Sequence, residues 1–132
     1  MSVIKNKRSL SGVQFLDTAR ELQIFTMRIC SKFPKHYNPF LNWPIIQQSV
    51  NVHNFVKKGN SIFPTNQMEY ELRRQQFVLA GAELQAMISQ INIAYDTFPI
   101  EEKKHKEWME LINKEIALIK NVIKADKERY KF

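Results

Sequence analysis

Four lysines near the end of the chain follow one another at intervals of four, three and four residues: Lys120, Lys124, Lys127 and Lys131. In an α-helix this spacing places all four ammonium groups on one side of the helix. A row of fixed ammonium groups attracts phosphates and other polyanions by charge. The chemistry that the series suggests is therefore the binding of a polyanion, not the making or breaking of a bond.

Two further sets of cations accompany this series. The first lies on and just after the first predicted helix and comprises Arg20, Arg28, Lys32 and Lys35. The second flanks the predicted turn between helices two and three and comprises Lys57, Lys58, Arg73 and Arg74. Each set by itself is also typical of an ordinary solvated helix face. Because a four-helix bundle places helices one and four side by side, we expect the sets to form one band that contacts phosphates with little discrimination among bases.

The net charge of +7 is concentrated in the first half of the chain. Residues 1–65 contain nine Lys or Arg and two acids, whereas residues 66–132 contain eleven of each. One-sided positive charge is typical of a protein that binds nucleic acid. A basic surface without such a partner, or one that contacts a membrane, would show the same composition.

Residues that could catalyse a reaction are not grouped in the sequence. No pair among His36, His53 and His105 has the four-residue spacing of a helical metal site. The chain has no glycine-rich phosphate loop and no arginine–histidine pair at the spacing that small helical ribonucleases use. We therefore predict no catalytic residue, no bound metal and no cofactor.

The cysteine content and the apolar runs indicate the compartment. Cys30 is the only cysteine, which favours a reducing environment, and its place in a helical apolar pattern predicts a small buried hydrophobe. Residues 1–11 lack the apolar core of a signal peptide, and no apolar run approaches the roughly 20 residues of a membrane span. These features predict a cytoplasmic protein without membrane contact.

The apolar periodicity predicts an all-α protein, an antiparallel up-down-up-down four-helix bundle in which helices three and four are longest. Residues 1–10 are predicted to be a basic flexible tail, and residues 11–132 to be the bundle domain. Helix one is expected to run from Ser11 to Phe33, and helix two from an Asn42 cap to a terminating Gly59. Helix three is expected to begin at an Asn66 cap and helix four near residue 101.

Helices three and four carry the clearest periodicity. A 3, 4 repeat on helix three predicts its core seam: Phe77, Ala80, Leu84, Met87, Ile91, Ala94 and Phe98. A second seven-residue series on the same helix comprises Leu72, Leu79, Ala86 and Ile93. It suggests contact with another subunit, and Gly81 suggests close approach of a neighbouring helix. On helix four the predicted inward line is Trp108, Ile112, Glu115, Ile119, Val122 and Asp126.

Two short motifs resemble a known family. Phe33-Pro34-Lys35 follows the first helix, and the stretch 55–60 (Phe-Val-Lys-Lys-Gly-Asn) precedes a long third helix that contains Leu72-Arg73-Arg74. Over residues 11–129 this layout resembles the four-helix-bundle accessory variability proteins of diversity-generating retroelements. Those proteins are related to the four-helix proteins encoded by intervening sequences in bacterial large-subunit ribosomal RNA genes. Gln47-Gln48 stands where the ribosomal branch often has paired arginines, which favours the retroelement branch.

The resemblance implies a non-catalytic accessory protein that forms a basic homopentamer and binds a reverse transcriptase and its RNA during mutagenic copying. Together with the charge pattern, it leads us to expect a cytoplasmic protein that binds RNA or DNA and self-associates. Three alternatives stay open at this point: a four-helix protein of the ribosomal intervening-sequence type, a helical nuclease or toxin-like enzyme, and a purely structural oligomer.

Overall fold

The computed structural model describes residues 13–132, which form four α-helices and no strand. The helices are α1 (Gln14–Cys30), α2 (Trp43–Ser61), α3 (Gln67–Thr97) and α4 (Glu102–Arg129). With 31 and 28 residues, α3 and α4 are the longest, against 17 and 19 for α1 and α2. This confirms the all-α four-helix class. The predicted tail and the Ser11 start of helix one lie outside the described residues.

The core is built on the two predicted inward lines. All seven residues of the predicted α3 seam are buried, and so are Trp108, Ile112, Glu115, Ile119 and Asp126 on α4. Val122 of the same α4 line is only half-buried. The Trp108 indole Nε1 donates a hydrogen bond to Thr26 Oγ1 on α1 at 2.9 Å. The rings of Phe15 on α1 and Phe77 on α3 pack edge to face, with centroids 5.6 Å apart. Helices α1, α3 and α4 therefore share one core.

Contacts at both ends relate α3 to α4. Arg73 near the start of α3 pairs with Asp126 near the end of α4. Tyr95 near the end of α3 stacks on His105 near the start of α4, with ring centroids 4.2 Å apart. Each end of α3 thus lies beside the opposite end of α4, while the up-down-up-down order of all four helices stays a prediction.

The two predicted asparagine caps behave differently. Asn66 caps α3 as expected, because its Oδ1 accepts a hydrogen bond from the Glu69 backbone N–H at 2.9 Å. The Asn42 prediction is wrong: its side chain makes no cap contact and instead donates to the Pro34 carbonyl at 3.1 Å and to Asn38 Oδ1 at 2.8 Å. Asn42 therefore fastens the connection between α1 and α2, which consists of a 3₁₀ turn (Lys35–Tyr37) and a π-helical turn (Asn38–Asn42).

Both glycine predictions are also wrong. Gly59 does not end α2, which continues to Ser61, and it has no left-handed backbone conformation. A Cβ at Gly59 would lie 2.9 Å from Phe77 Cζ, so the residue is small because a buried ring packs against it. Gly81 marks no close helix approach, since no atom of the described neighbours lies within 4 Å of a Cβ placed there.

Candidate polyanion-binding surface

The chain contains no acidic residue between the middle of α1 and the start of α3. Residues 22–68, which include α2 and the connection before it, contain no Asp or Glu. Five of the predicted site residues fall in this stretch, and all five are exposed: Arg28, Lys32, Lys35, Lys57 and Lys58. Because no carboxylate interrupts the stretch, its positive potential is not cancelled by neighbours along the chain.

The predicted cations also have few partners from other parts of the molecule. Within residues 13–132 the ion pairs are Arg73–Asp126, Lys104–Glu107 and Lys131–Glu128. Apart from Arg73 and Lys131, no predicted site residue in that range lies within 4.0 Å of a carboxylate oxygen. An exposed, unpaired cation remains available to a phosphate without first giving up an intramolecular bond.

Arg73 does not belong to this surface, which corrects the prediction for that residue. It is buried, and its Nε donates to Asp126 Oδ2 at 2.7 Å while its Nη2 donates to Asp126 Oδ1 at 3.2 Å. Its remaining Nη1 donates to the carbonyls of Gly59 and Ile62 at 3.2 and 3.0 Å. The guanidinium also lies 5.2 Å from the centroid of the Phe77 ring. We call this arrangement the Arg73 latch. It joins the end of α2, the start of α3 and the end of α4. It uses four of the five guanidinium N–H groups and keeps the side chain away from solvent.

The lysine series on α4 is shorter than predicted. Lys120, Lys124 and Lys127 are exposed within the helix, but α4 ends at Arg129 and Tyr130 is extended. Lys131 therefore lies beyond the helix, where its Nζ is 3.8 Å from Glu128 Oε2. Three lysines, not four, remain on one helix face.

Two groups of exposed cations lie towards opposite ends of the bundle, while the single band stays a prediction. Lys58, Arg74 and Lys127 are each adjacent in sequence to a residue of the Arg73 latch, so they lie at the same end of the bundle. Arg28 and Lys32 instead share a pocket with Lys104 at the beginning of α4. Residues 104 and 126 are about 33 Å apart along the helix at ~1.5 Å per residue. A strand must therefore run along the bundle to reach both groups.

His53 lies near two further exposed cations, Arg20 on α1 and Lys57 on α2. Its Nδ1 donates to Gln23 Oε1 at 2.8 Å, which ties α2 to α1. Its pKa is lowered, first by partial burial and then by the positive charges of Lys57 and Arg20. Arg20 and Lys57 thus lie on different helices and still act on the same imidazole. The two form a cationic patch across the α1–α2 seam, and we call it the seam patch.

Lys104 is the cation that sequence reasoning missed. It belongs to the run Lys103-Lys104-His105-Lys106, which has acidic residues on both sides. In the sequence this run is therefore typical of an exposed surface with charges of both signs. Its Nζ lies 5.9 Å from the centroid of the Phe25 ring on α1 and 3.8 Å from Glu107 Oε2. Only the packing of α4 against α1 brings it beside Arg28 and Lys32.

The described residues with unusual chemistry are enclosed in the core. Burial raises the pKa of the Cys30 thiol to about 12, which removes its reactivity near neutral pH. Burial also raises the pKa of the Glu115 carboxyl to about 8, partly offset by Lys114. No group of three or more His, Cys, Asp or Glu among residues 13–132 could hold a metal ion.

No protein-family model, curated protein or solved structure matches the chain.

Proposed function

We propose that this protein is a non-catalytic accessory protein that binds nucleic acid through the phosphates. The observation that carries the proposal is the acid-free stretch of residues 22–68, whose exposed cations have no carboxylate partner among the described residues. Phosphate contacts from lysine and arginine give affinity and orientation but carry no direct sequence information. Binding is therefore expected to be strong at low salt and tolerant of sequence.

The number of available cations sets the expected salt dependence. Six exposed residues lie on α1, α2 and their connection: Arg20, Arg28, Lys32, Lys35, Lys57 and Lys58. If each neutralises one phosphate of a single strand, the logarithm of the binding constant falls with that of the salt concentration with a slope of roughly −4. Between about 50 and 200 mM salt the affinity would then fall by roughly 10²- to 10³-fold.

A charge-reversal experiment with a matched control tests this proposal. The variant Arg20→Glu/Arg28→Glu/Lys32→Glu removes three cations from the surface and lowers the net charge from +7 to +1. The control Lys103→Glu/Lys106→Glu/Lys114→Glu makes the same change in net charge on exposed positions of α4.

We expect the first variant to lose binding of a fluorescently labelled single-stranded RNA or DNA in anisotropy titrations. The control should keep most of its affinity. Circular dichroism must show that both variants retain their helices. Equal losses in the two variants would mean that only net charge matters, and full binding by the first would refute the surface assignment.

Self-association is the second part of the proposal, and α3 is the helix that supports it. The second seven-residue series stays exposed: Leu72, Leu79 and Ile93 keep 45, 39 and 48% of their accessible surface, and Ala86 is exposed as well. Three more exposed residues complete a seam with 3, 4 spacing: Gln75, Ala82 and Ser89. We call this uncharged face, about 32 Å long at ~1.5 Å per residue, the outer α3 seam.

A second copy of the chain fits the outer α3 seam better than lipid does. By length and composition α3 could cross a membrane, but it already gives one face to the bundle core. Its outer seam interrupts the aliphatic residues with Gln75 and Ser89, whose amide and hydroxyl groups are costly to bury in hydrocarbon without partners. In a helix–helix interface the same two side chains can form hydrogen bonds across the seam. The pentamer and the reverse transcriptase partner come from the resemblance to retroelement accessory proteins, and we keep both as part of the proposal.

Sedimentation velocity tests the self-association. We expect the wild-type chain to sediment as a multimer and Leu79→Glu, which places a charge in the outer α3 seam, to sediment as a monomer. The matched control is Asn92→Glu, at an exposed position about 140° from Leu79 around the same helix. A monomeric wild-type chain, or a multimer that tolerates Leu79→Glu, would reject this interface.

A further inference from the structure

A pocket of about 320 Å³ lies between the second half of α1, the connection between α3 and α4, and the start of α4. Its apolar lining includes Phe25, Ile29, Phe33 and Ile100. Ligand pockets in proteins span roughly 300 to 1,000 Å³. This pocket therefore suits a small group such as one base with its sugar, not a folded segment.

Packing fixes the aromatic floor of the pocket. The Phe33 ring packs edge to face against Phe98, with centroids 4.7 Å apart, and lies 6.2 Å from the Trp108 ring. The Phe25 ring also lies 6.2 Å from the Trp108 ring. Trp108 is itself fully buried and held by its hydrogen bond to Thr26. The floor is therefore formed before any ligand arrives, which lowers the ordering cost of binding.

The rim of the pocket is positively charged. Arg28, Lys32 and Lys104 lie around the apolar floor, against the single acid Glu101 in the lining. Arg28 lies in the last turn of α1 and Lys32 in the turn that follows the helix. Because both line the pocket, their head groups can reach the same phosphate or two neighbouring ones. An apolar floor with cations on one edge is complementary to a flat ring that carries a phosphate.

We propose that this pocket receives one unpaired base of a bound single strand, while Arg28 and Lys32 contact the phosphates beside it. The inference rests on the proposed function, since it requires that the chain bind nucleic acid. It goes further, because phosphate contacts alone do not distinguish single strands from duplexes, whereas a base pocket does. A base in a duplex is stacked and paired, and extracting it costs a few kcal/mol.

The first experiment compares two labelled 12-nucleotide strands of equal charge. One is oligothymidylate, and in the other the central four bases are replaced by abasic residues that keep the phosphates. Base–aromatic stacking predicts that the abasic strand binds roughly 5- to 100-fold more weakly. The preference should disappear in Phe25→Leu, with an unchanged salt slope. It should persist in the matched control Phe63→Leu, because Phe63 is 76% exposed and lies outside the pocket.

A fluorescence measurement keeps the proposal testable if Phe25→Leu fails to fold. In Trp43→Phe the buried Trp108 is the only tryptophan, and it lies against the pocket floor. Oligothymidylate should change its emission, and the abasic strand should change it much less.

The outcomes separate this inference from the proposed function. Failure of both strands to bind would defeat the proposed function and the pocket together. Equal affinity for the two strands would leave phosphate binding intact and overturn the base pocket alone. A base preference lost in Phe63→Leu instead of Phe25→Leu would place the stacking elsewhere. A stronger Trp108 response to the acidic peptide Asp-Glu-Phe-Glu than to oligothymidylate would reassign the pocket to a protein partner.

Discussion

Glu115 offers the sharpest test of the packing. Its side chain is fully buried on the inner line of α4, and neither carboxyl oxygen has a hydrogen-bond partner among residues 13–132. Burial raises the pKa of this carboxyl from 4.5 to about 8. The folded protein therefore holds the proton at a pH where the unfolded chain has released it.

The pH dependence follows from this difference. Below pH 4.5 the Glu115 carboxyl is protonated in both states, so its ionisation does not affect stability. As the pH rises from 4.5 towards 8, the unfolded state loses the proton first, and the free energy of unfolding falls by about 1.4 kcal/mol per pH unit. Above pH 8 the penalty is complete, on the order of 5 kcal/mol.

Glu115→Met removes both the ionisation and the unpaired polar atoms while keeping a similar volume. We expect it to raise the free energy of unfolding by about 3 kcal/mol at pH 7 and by more at pH 9. Glu115→Gln should remove the pH dependence but gain less, because a buried amide without partners still costs about 1–3 kcal/mol. Glu110→Gln, at an exposed position on the same helix, serves as the control.

Urea unfolding followed by circular dichroism between pH 5 and 9 measures these differences. All variants must be compared at one protein concentration, because self-association would add a concentration-dependent contribution. The difference between wild type and Glu115→Met should widen with pH. Parallel stability curves over this range would show that Glu115 does not titrate in the core, and the reasoning would be wrong.

Three further predictions use neighbouring or equivalent residues as controls. Arg73→Met should lower the free energy of unfolding by about 3–5 kcal/mol because it leaves a buried carboxylate without its partner. Arg74→Met should change the free energy of unfolding by less than about 0.5 kcal/mol and should weaken the binding of a single strand. Chemical denaturation and anisotropy measure the two effects, and the reverse pattern would return Arg73 to the binding surface. Gly81→Ala should raise the free energy of unfolding by up to ~1 kcal/mol through helix propensity. Gly59→Ala should lower it by about 1–2 kcal/mol because the added Cβ meets the buried Phe77 ring. Thermal unfolding measures both changes, and stabilisation by both substitutions would contradict the packing at Gly59. Binding of a single strand should raise the pKa of His53, because the phosphates offset the repulsion between the imidazolium and the nearby cations. An NMR titration that finds the same His53 pKa with and without the strand would remove the seam patch from the binding surface.

Residue spacing predicted the core better than residue type did. The helix three seam was confirmed in full because a 3, 4 repeat leaves one face for the core whatever its neighbours are. The same logic placed Glu115 and Asp126 on the inner line of α4, and both are buried although they are acids. The pattern could not indicate that Asp126 has a partner while Glu115 has none among residues 13–132, because such partners come from another helix.

Arg73 shows what a closer use of the same pattern would have found. Position 73 is four residues before Phe77 and continues the 3, 4 seam of α3 backwards, whereas Arg74 falls outside it. Charge alone made the two arginines look equivalent. The seam predicts that position 73 faces inward, where an arginine needs a buried acid, and Asp126 occupies the corresponding place on α4.

A helix cap was predicted correctly, whereas the role of Gly59 and the position of Lys104 were not, because the last two depend on contacts between helices. The Asn66 cap depends on atoms three residues apart, so the sequence contains all of it. Gly59 depends on Phe77, which lies on the next helix, and a glycine near a predicted helix end looks the same whether it terminates the helix or admits a ring. Lys104 joins Arg28 only through the packing of α4 on α1. Contacts between helices therefore account for most of what sequence reasoning missed.

The two parts of the proposed function use different helices, and this has a consequence for binding. The outer α3 seam lies on a different face of α3 from its core seam, while the six exposed cations counted for strand binding lie on α1, α2 and their connection. Self-association through α3 would leave those cations exposed on every copy, so one long strand could contact several copies at once. Affinity would then rise with strand length beyond the span of one bundle, because each further contact is intramolecular.

A monomeric Leu79→Glu should lose that dependence on length while keeping its affinity for a short strand, since the cations of a single copy are unchanged. A protein that binds nucleic acid only as single bundles would show equal affinities for long and short strands once the number of sites is taken into account.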